Sequence, residues 1–464
     1  MRLVLIDIDS LRPDHLGCYG YPRPTSPNID RVATDGMCFD RFYCSDSPCL
    51  PSRMSWLSGR FGIHNGVVSN VGCGRDFHIV RKGYGGPIDA QETVMRQLRR
   101  HAGLEAISIS NFADRHCAQW FTHGWTEFIS PNNKGGAETA EEVNEVALDW
   151  LRRNEGRDDF LLHINYWDVH RVYKMDPSWA DRFEGTPAPG WPDAETIARH
   201  GTYDGLFTAA NLFHGTGKST VPLMPDDVTT RARYERLITG YDAAIAYTDH
   251  HLGQVLDLLE SQGVLDDTAI IITADHGDAF GEHGIYSDHV CADECIHHLP
   301  MIVRWPGVTP PSGRNDSLLY NTDMGPTLCD LLGSPVPQQW DGRSFAPALR
   351  GELIDERDCL VWGHALYATQ RAVRTRQHLM LRTYDPWEYK HFRPVELYDM
   401  EADPYQTTDL ADSRPDLVGD LDRRLNNWLH EQSSKPGAIA DPFGPLMEEQ
   451  MRRGKSNRSR GDWP

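Results

Sequence analysis

Five short apolar runs limit what this chain can fold into. Residues 3–9, 105–110, 160–166, 268–273 and 300–305 are separated by segments with helical periodicity. Strand runs alternating with amphipathic helices call for a mainly parallel sheet covered by helices on both faces. The helical signal is plainest over 230–261, where Leu237, Tyr241, Ile245, Thr248, Leu252, Val255 and Leu259 recur at three- and four-residue steps. Val143, Val146, Ala147, Trp150 and Leu151 mark a second helix over 137–154. Both stripes read as core.

The rhythm changes after about residue 350. Short strand patterns at 359–362, 370–374, 378–382 and 396–400 precede a helix at 415–431, which suggests a small antiparallel sheet with one packed helix. The expected division is 1–355 for the large α/β domain, 356–432 for the small one, and 433–464 for a polar, basic, loosely ordered tail. A chain of 464 residues is too long for one ordinary core, in keeping with that division.

Composition removes several function classes. A formal charge of −21 argues against nucleic acid as a partner, because phosphate neutralisation needs a basic face. An anionic ester would have to be captured locally, by a bound cation and a few His or Arg side chains. The ten cysteines form no C-x-x-C pair, so neither a disulfide framework nor a structural zinc is expected. The apolar stretch 3–6 is too short for a leader core, and no run approaches the roughly 18 apolar residues of a membrane span. The expectation is a soluble, cytoplasmic protein with no membrane partner.

Two stretches, 61–89 and 168–229, are rich in Gly, Pro, His and aromatic residues and show little periodicity. Loops this long inside a compact domain are usually functional or disordered, and these are expected to wall a substrate pocket.

The residues suited to chemistry lie at the ends of the strand runs. Carboxyl ends of strands are where open α/β sheets hold ligands, so Asp9 is well placed for a hard cation. Asp275-His276-Gly277 follows the apolar run 268–273 in the same manner. His170 follows 160–166, and an imidazole there can donate a proton or hold an oxygen. Cys49-Leu50-Pro51-Ser52-Arg53, with Gly59-Arg60 beyond it, is rarer still. From the abundance of the three residue types, C-x-P-x-R should occur about 0.06 times by chance in this chain.

With these flanking segments the pentapeptide resembles the signature of the type I sulfatases of the alkaline phosphatase superfamily, which also includes phosphonate monoester hydrolases. Asp323–Gly333, Asp341–Ser344 and Glu396–Pro404 are similar to other stretches of that family, so the likeness spans about residues 3 to 410. It implies an alkaline-phosphatase-like fold and oxidation of Cys49 to formylglycine by a formylglycine-generating enzyme. One hydroxyl of the hydrated aldehyde attacks the ester, and the other expels the inorganic anion as the aldehyde reforms. It also implies a divalent cation, Ca²⁺ first with Mg²⁺ and Mn²⁺ as alternatives, on Asp9, Cys49, Asp275 and His276. Arg53 would steady the charge on residue 49 and His170 would contact the transferred group.

The chain departs from the family's pattern in three places. Ser10 stands where many members carry a second acid, leaving room for water, a smaller cation or a contribution from Asp7. His289, with Asp288 raising its pKa, replaces a lysine at the anion. Asn111–His116 replaces a Lys-Trp-His segment, so that Arg115 or His116 would supply the missing charge; His116 and His289 are the substrate-binding candidates. The leading function is hydrolysis of a sulfate monoester on a glycan or small organic molecule. The alternatives are a phosphonate monoester or phosphodiester hydrolase with the same nucleophile, and a non-catalytic binding protein on the same fold.

Overall fold

The computed structural model describes residues 1–75, 92–213, 219–435, 438 and 440–453. Its centre is an eight-stranded sheet. In chain order the elements that matter here are β1 (Arg2–Ile8), β2 (Met37–Phe39), β3 (Asp46–Ser47), β4 (Glu105–Ile109), β5 (Glu127–Ile129), β6 (Phe160–Tyr166), β7 (Thr268–Thr273), β8 (Met301–Arg304) and β9 (Gly313–Asn315). The sheet runs β9-β2-β8-β7-β1-β6-β4-β5. β1 pairs in parallel with both β6 and β7, and β8 is antiparallel to its two neighbours. The α/β architecture expected from the apolar runs is borne out, each run falling within a residue or two of a strand.

Helices cover both faces. The two read from periodicity are α2 (Ala140–Arg153) and α3 (Arg231–Ser261). Thr139 and Glu142 form a reciprocal capping box at the start of α2, and the Thr230 side chain accepts from Arg233 N at the start of α3. The shorter α1 (Cys49–Ser58) is buried at all ten positions, so no amphipathic stripe announces it. It ends at Gly59, whose φ of 64° and the Trp340 ring 2.7 Å from where a Cβ would sit both demand glycine.

The second sheet follows the expected strands as β10 (Leu360–Ala365), β11 (Thr369–Arg374), β12 (His378–Asp385) and β13 (Val395–Asp399), with α4 (Pro415–Ser434) against it. It has a fifth member that the sequence pattern did not suggest. β3, two residues ahead of α1, pairs in parallel with β10, placing His364 beside Ser47. The C-terminal sheet therefore reaches directly to the start of α1.

Of the two long stretches, one departs from the expected lack of periodic structure. Residues 76–91 of the first long stretch lie outside the described residues, while the second is not structureless: a 3₁₀ segment Pro177–Phe183 and a helix Ala194–His200 interrupt it. Within the described part of the tail, a helix stands where loose chain was expected. α5 (Phe443–Arg453) buries Phe443 and Leu446 against Val68 and Ala365. Arg371 holds both oxygens of Asp441 at 2.8 and 2.7 Å and lies 4.1 Å over the Phe443 ring. The apolar spacing of 443, 446 and 447 carried that signal inside an otherwise polar segment. No helix among the described residues is long and apolar enough to cross a membrane.

Candidate active site

Sheet register brings the two acidic segments together. β1 and β7 pair in parallel with Asp7 opposite Thr273, and two residues further on Asp9 comes to lie beside Asp275. Alternation along β1 puts Asp7 and Asp9 on the same side. α1 then delivers Cys49 in its first turn and Arg53 one turn later, on the same helix face.

Arg53 is completely buried and ties the acids into one cluster. Its Nε donates to Asp7 at 2.9 Å, and its Nη1 donates to Asp9 at 3.0 Å and also to Asp275. The guanidinium is flanked by the Phe112 and Trp167 rings at 4.6 and 5.4 Å. Burial opposes ionisation of Asp9, but Arg53 together with His170, His276 and Arg115 outweighs it and holds the carboxyl well below its usual range. Asp275 goes the other way: burial raises it, and Arg53 does not offset burial together with the charges of Asp9 and Asp7. A cation entering this cluster would therefore displace a proton.

Asp9, Cys49, Asp275 and His276 offer ligand atoms that all lie within 4.8 Å of one another, so the four could hold a metal ion. All four are buried. Asp7 is outside this group, its carboxylate being taken by Arg53 and by His163 at 3.5 Å. Ser10, in place of a second acid, donates its hydroxyl to Asp9 at 3.1 Å and its backbone N–H to Asp275 at 3.2 Å. It tethers the carboxylates without adding charge. Gly277 completes the turn, since a Cβ there would sit 2.2 Å from the Cys295 carbonyl oxygen.

The histidines divide by charge. His276 lies with Nε2 3.1 Å from the Cys49 sulfur and is pushed down to about 3 by burial and by His289. Burial also lowers His170, which lies next to the Arg171 carbonyl, 2.6 Å from its Nδ1. For His289 burial is outweighed by Asp288 and Asp278, which raise it to about 9. Its ring lies 4.2 Å from that of His276 and 5.9 Å from that of His170, centre to centre.

His116 sits between the Phe112 and Trp167 rings at 4.9 and 6.3 Å, and its Nε2 has no hydrogen-bond partner among the described residues. Burial and Arg115 push it well below its usual pKa, so it is neutral and does not supply the charge sought at this segment. Arg115 carries that charge. Its guanidinium lies 4.9 Å over Trp167, and it acts electrostatically on Asp9, Cys49 and His170.

Several residues around the centre escaped the sequence reading. Asn70 accepts from Leu50 N at 3.0 Å and points its amide at the Cys49 sulfur, 3.7 Å away. Arg171 pairs with Asp288 at 3.1 Å. Behind Cys49, the Ser47 hydroxyl lies 2.9 Å from His297 and 2.7 Å from His364, and burial keeps both imidazoles neutral. Only the pairing of β3 with β10 brings His364 here, and no local pattern reports it.

Comparison with known proteins fixes the family. The sulfatase family model matches residues 2–334. The chain belongs to the sulfatase family. It is thus a sulfuric ester hydrolase, and the resemblance drawn from the Cys49 segment is borne out. A second family model, for the C-terminal part of N-sulphoglucosamine sulphohydrolase, matches residues 281–435. The chain is similar to an N-acetylglucosamine-6-O-sulfatase from Bacteroides thetaiotaomicron, 23% identical with 88% of this chain and 82% of the relative covered. Its fold is similar to that of BT4656, solved in complex with its substrate D-glucosamine-2-N,6-O-disulfate. The TM-score is 0.75 at 20% identity, over 94% of this chain and 99% of that one. A phosphonate monoester hydrolase of Agrobacterium radiobacter is similar too, with a TM-score of 0.70 at 19% identity over 92% and 95% of the two chains.

Proposed function

We propose that this sulfatase hydrolyses sulfate monoesters of a carbohydrate, using a formylglycine made from Cys49 and a divalent cation held by Asp9, Asp275, His276 and residue 49. The observation that carries the reading is the convergence of those four residues around Arg53. As a thiol, Cys49 is a poor nucleophile: burial and the charges of Asp9 and Asp275 push its pKa well above the usual value and suppress the thiolate. Two carboxylates and an imidazole form a hard donor set in which sulfur is out of character and an oxygen would fit, which favours Ca²⁺. When bound, the cation makes a formylglycine hydroxyl more acidic and offsets charge on the ester.

The chain's own side chains do the rest. Arg53 keeps the three carboxylates spaced and stabilises negative charge at residue 49. His289, protonated at neutral pH by its raised pKa, is the natural donor to the leaving oxygen. His170 is neutral and, with Nδ1–H given to the Arg171 carbonyl, presents Nε2 as an acceptor. Arg115 binds a sulfuryl oxygen in place of the family's lysine. A sugar ring is supported by the carbohydrate sulfatases among the relatives and by the aromatic side chains of the loop over 168–213.

The deciding measurement compares turnover of aryl sulfate and sulfated monosaccharides with that of aryl phosphonate monoesters and phosphodiesters. Faster cleavage of sulfates is expected; negligible sulfate turnover beside rapid phosphonate cleavage would overturn the reading. Within the anion site, Arg115→Ala is expected to raise KM about 10- to 100-fold, the effect of losing one charged hydrogen bond. His116→Gln should change it by no more than about threefold, because a neutral side chain is exchanged for another. Equal effects of the two would remove Arg115 from the role.

A further inference from the structure

Cys49 and His276 belong to a second ligand group as well. With His289 they form a triad whose ligand atoms also lie within 4.8 Å of one another, all buried. Each imidazole is anchored through its Nδ1: His276 on the Gly277 carbonyl at 3.0 Å and His289 on Asp278 at 2.8 Å. That leaves both Nε2 atoms as the ligand atoms beside the sulfur. A histidine held by carboxylate or carbonyl at one nitrogen and offering the other is the arrangement zinc sites use. The separation between Cys49 Sγ and His276 Nε2 is 3.1 Å, and a tetrahedral zinc requires about 3.6 Å between such atoms, a small opening.

We propose that the chain with an unconverted Cys49 binds one Zn²⁺ through Cys49 Sγ, His276 Nε2 and His289 Nε2, leaving the fourth position to water or Asp9. On binding, the Cys49 thiol and the His289 Nε2–H each lose a proton to solvent, so that the sulfur bonds zinc as thiolate and His289 bonds it as a neutral imidazole that keeps Nδ1–H on Asp278. Thiolate and imidazole select a soft cation, whereas Asp9 and Asp275 select a hard one. Because Cys49 and His276 serve both groups, the two modes exclude each other. Exchanging sulfur for oxygen at residue 49 switches the pocket from zinc to a hard cation. The inference rests on the triad's geometry and does not depend on which ester the converted enzyme cleaves.

The test uses full-length protein produced without a formylglycine-generating enzyme, the thiol at residue 49 verified by peptide mass. Zn²⁺ is titrated against a chromophoric chelator, and Co²⁺ serves as the spectroscopic probe. One equivalent of zinc and a thiolate-to-cobalt charge-transfer band are expected. Cys49→Ser should abolish the band, and His289→Gln should weaken zinc binding at least tenfold. Asp278→Asn should keep the band while lowering affinity about 10- to 100-fold, the usual effect of losing a ligand's orienting partner. Another buried thiol beside an imidazole is Cys44, 3.4 Å from His297, and Cys44→Ser should leave the band intact. Absence of the band, or a band that survives Cys49→Ser and disappears in Cys44→Ser, overturns the proposal. Circular dichroism confirms folding of each variant, and no arm reads ester hydrolysis.

Discussion

Cys49→Ser is expected to lower steady-state sulfate hydrolysis by on the order of 10⁴–10⁶-fold, the scale seen when a nucleophile is removed. The variant should stay folded. Its Oγ replaces Sγ within reach of His276 at 3.1 Å and Asn70 at 3.7 Å, both able to hydrogen-bond a hydroxyl. A serine hydroxyl held in the same cluster can attack an ester once, but it has no second hydroxyl whose deprotonation expels the anion. The pre-steady-state signature is therefore a burst of no more than one equivalent of alcohol followed by silence. Cys49→Ala should give no burst. Stopped-flow release of an aryl alcohol distinguishes these outcomes, and continuous multiple turnover by the serine variant at a rate near wild type would refute formylglycine chemistry here.

The parts of the site legible in sequence share a physical origin. Acids at strand ends are fixed by local periodicity, so Asp9 and Asp275 can be placed from spacing, whereas the pair Cys49 and Arg53, on a helix without an amphipathic stripe, is legible through the resemblance of its pentapeptide to the sulfatase signature. What local pattern cannot carry is a contact whose partners are set by tertiary packing. Asn70 reaches Cys49 across a loop, and His364 reaches Ser47 because a two-residue strand joins the C-terminal sheet. Charge state is legible for His289, whose neighbour Asp288 announces a raised pKa, but not for His116. His116 and His289 are the same residue type beside a charged neighbour, yet burial with Arg115 neutralises the first while two carboxylates keep the second protonated. One segment of the polar tail shows the converse: over 441–447, three apolar residues on one helix face and an Arg371–Asp441 pair are enough to dock the chain.

Arg53→Met tests whether the buried guanidinium is structural, catalytic or both. Removing it leaves Asp7, Asp9 and Asp275 crowded in a site with almost no solvent, and stripping one side of a buried ion pair costs about 3–5 kcal/mol. In metal-free protein that loss should appear in full as a lower thermal midpoint. Adding Ca²⁺ should recover much of it, because a dication among Asp9, Asp275 and His276 supplies the compensating charge. Arg53→Lys should fall between: it keeps the charge but not the fork that reaches Asp7 from Nε while Nη1 spans Asp9 and Asp275. Turnover should drop by about 10²–10³-fold in both variants even when metal restores stability, since charge developing at residue 49 loses its fixed donor. A metal-free Arg53→Met protein as stable as wild type would show that the acids shed their charge by protonation alone, leaving Arg53 with a catalytic role only. Restoration of both stability and turnover by metal would mean that the cation alone carries the electrostatics of the centre.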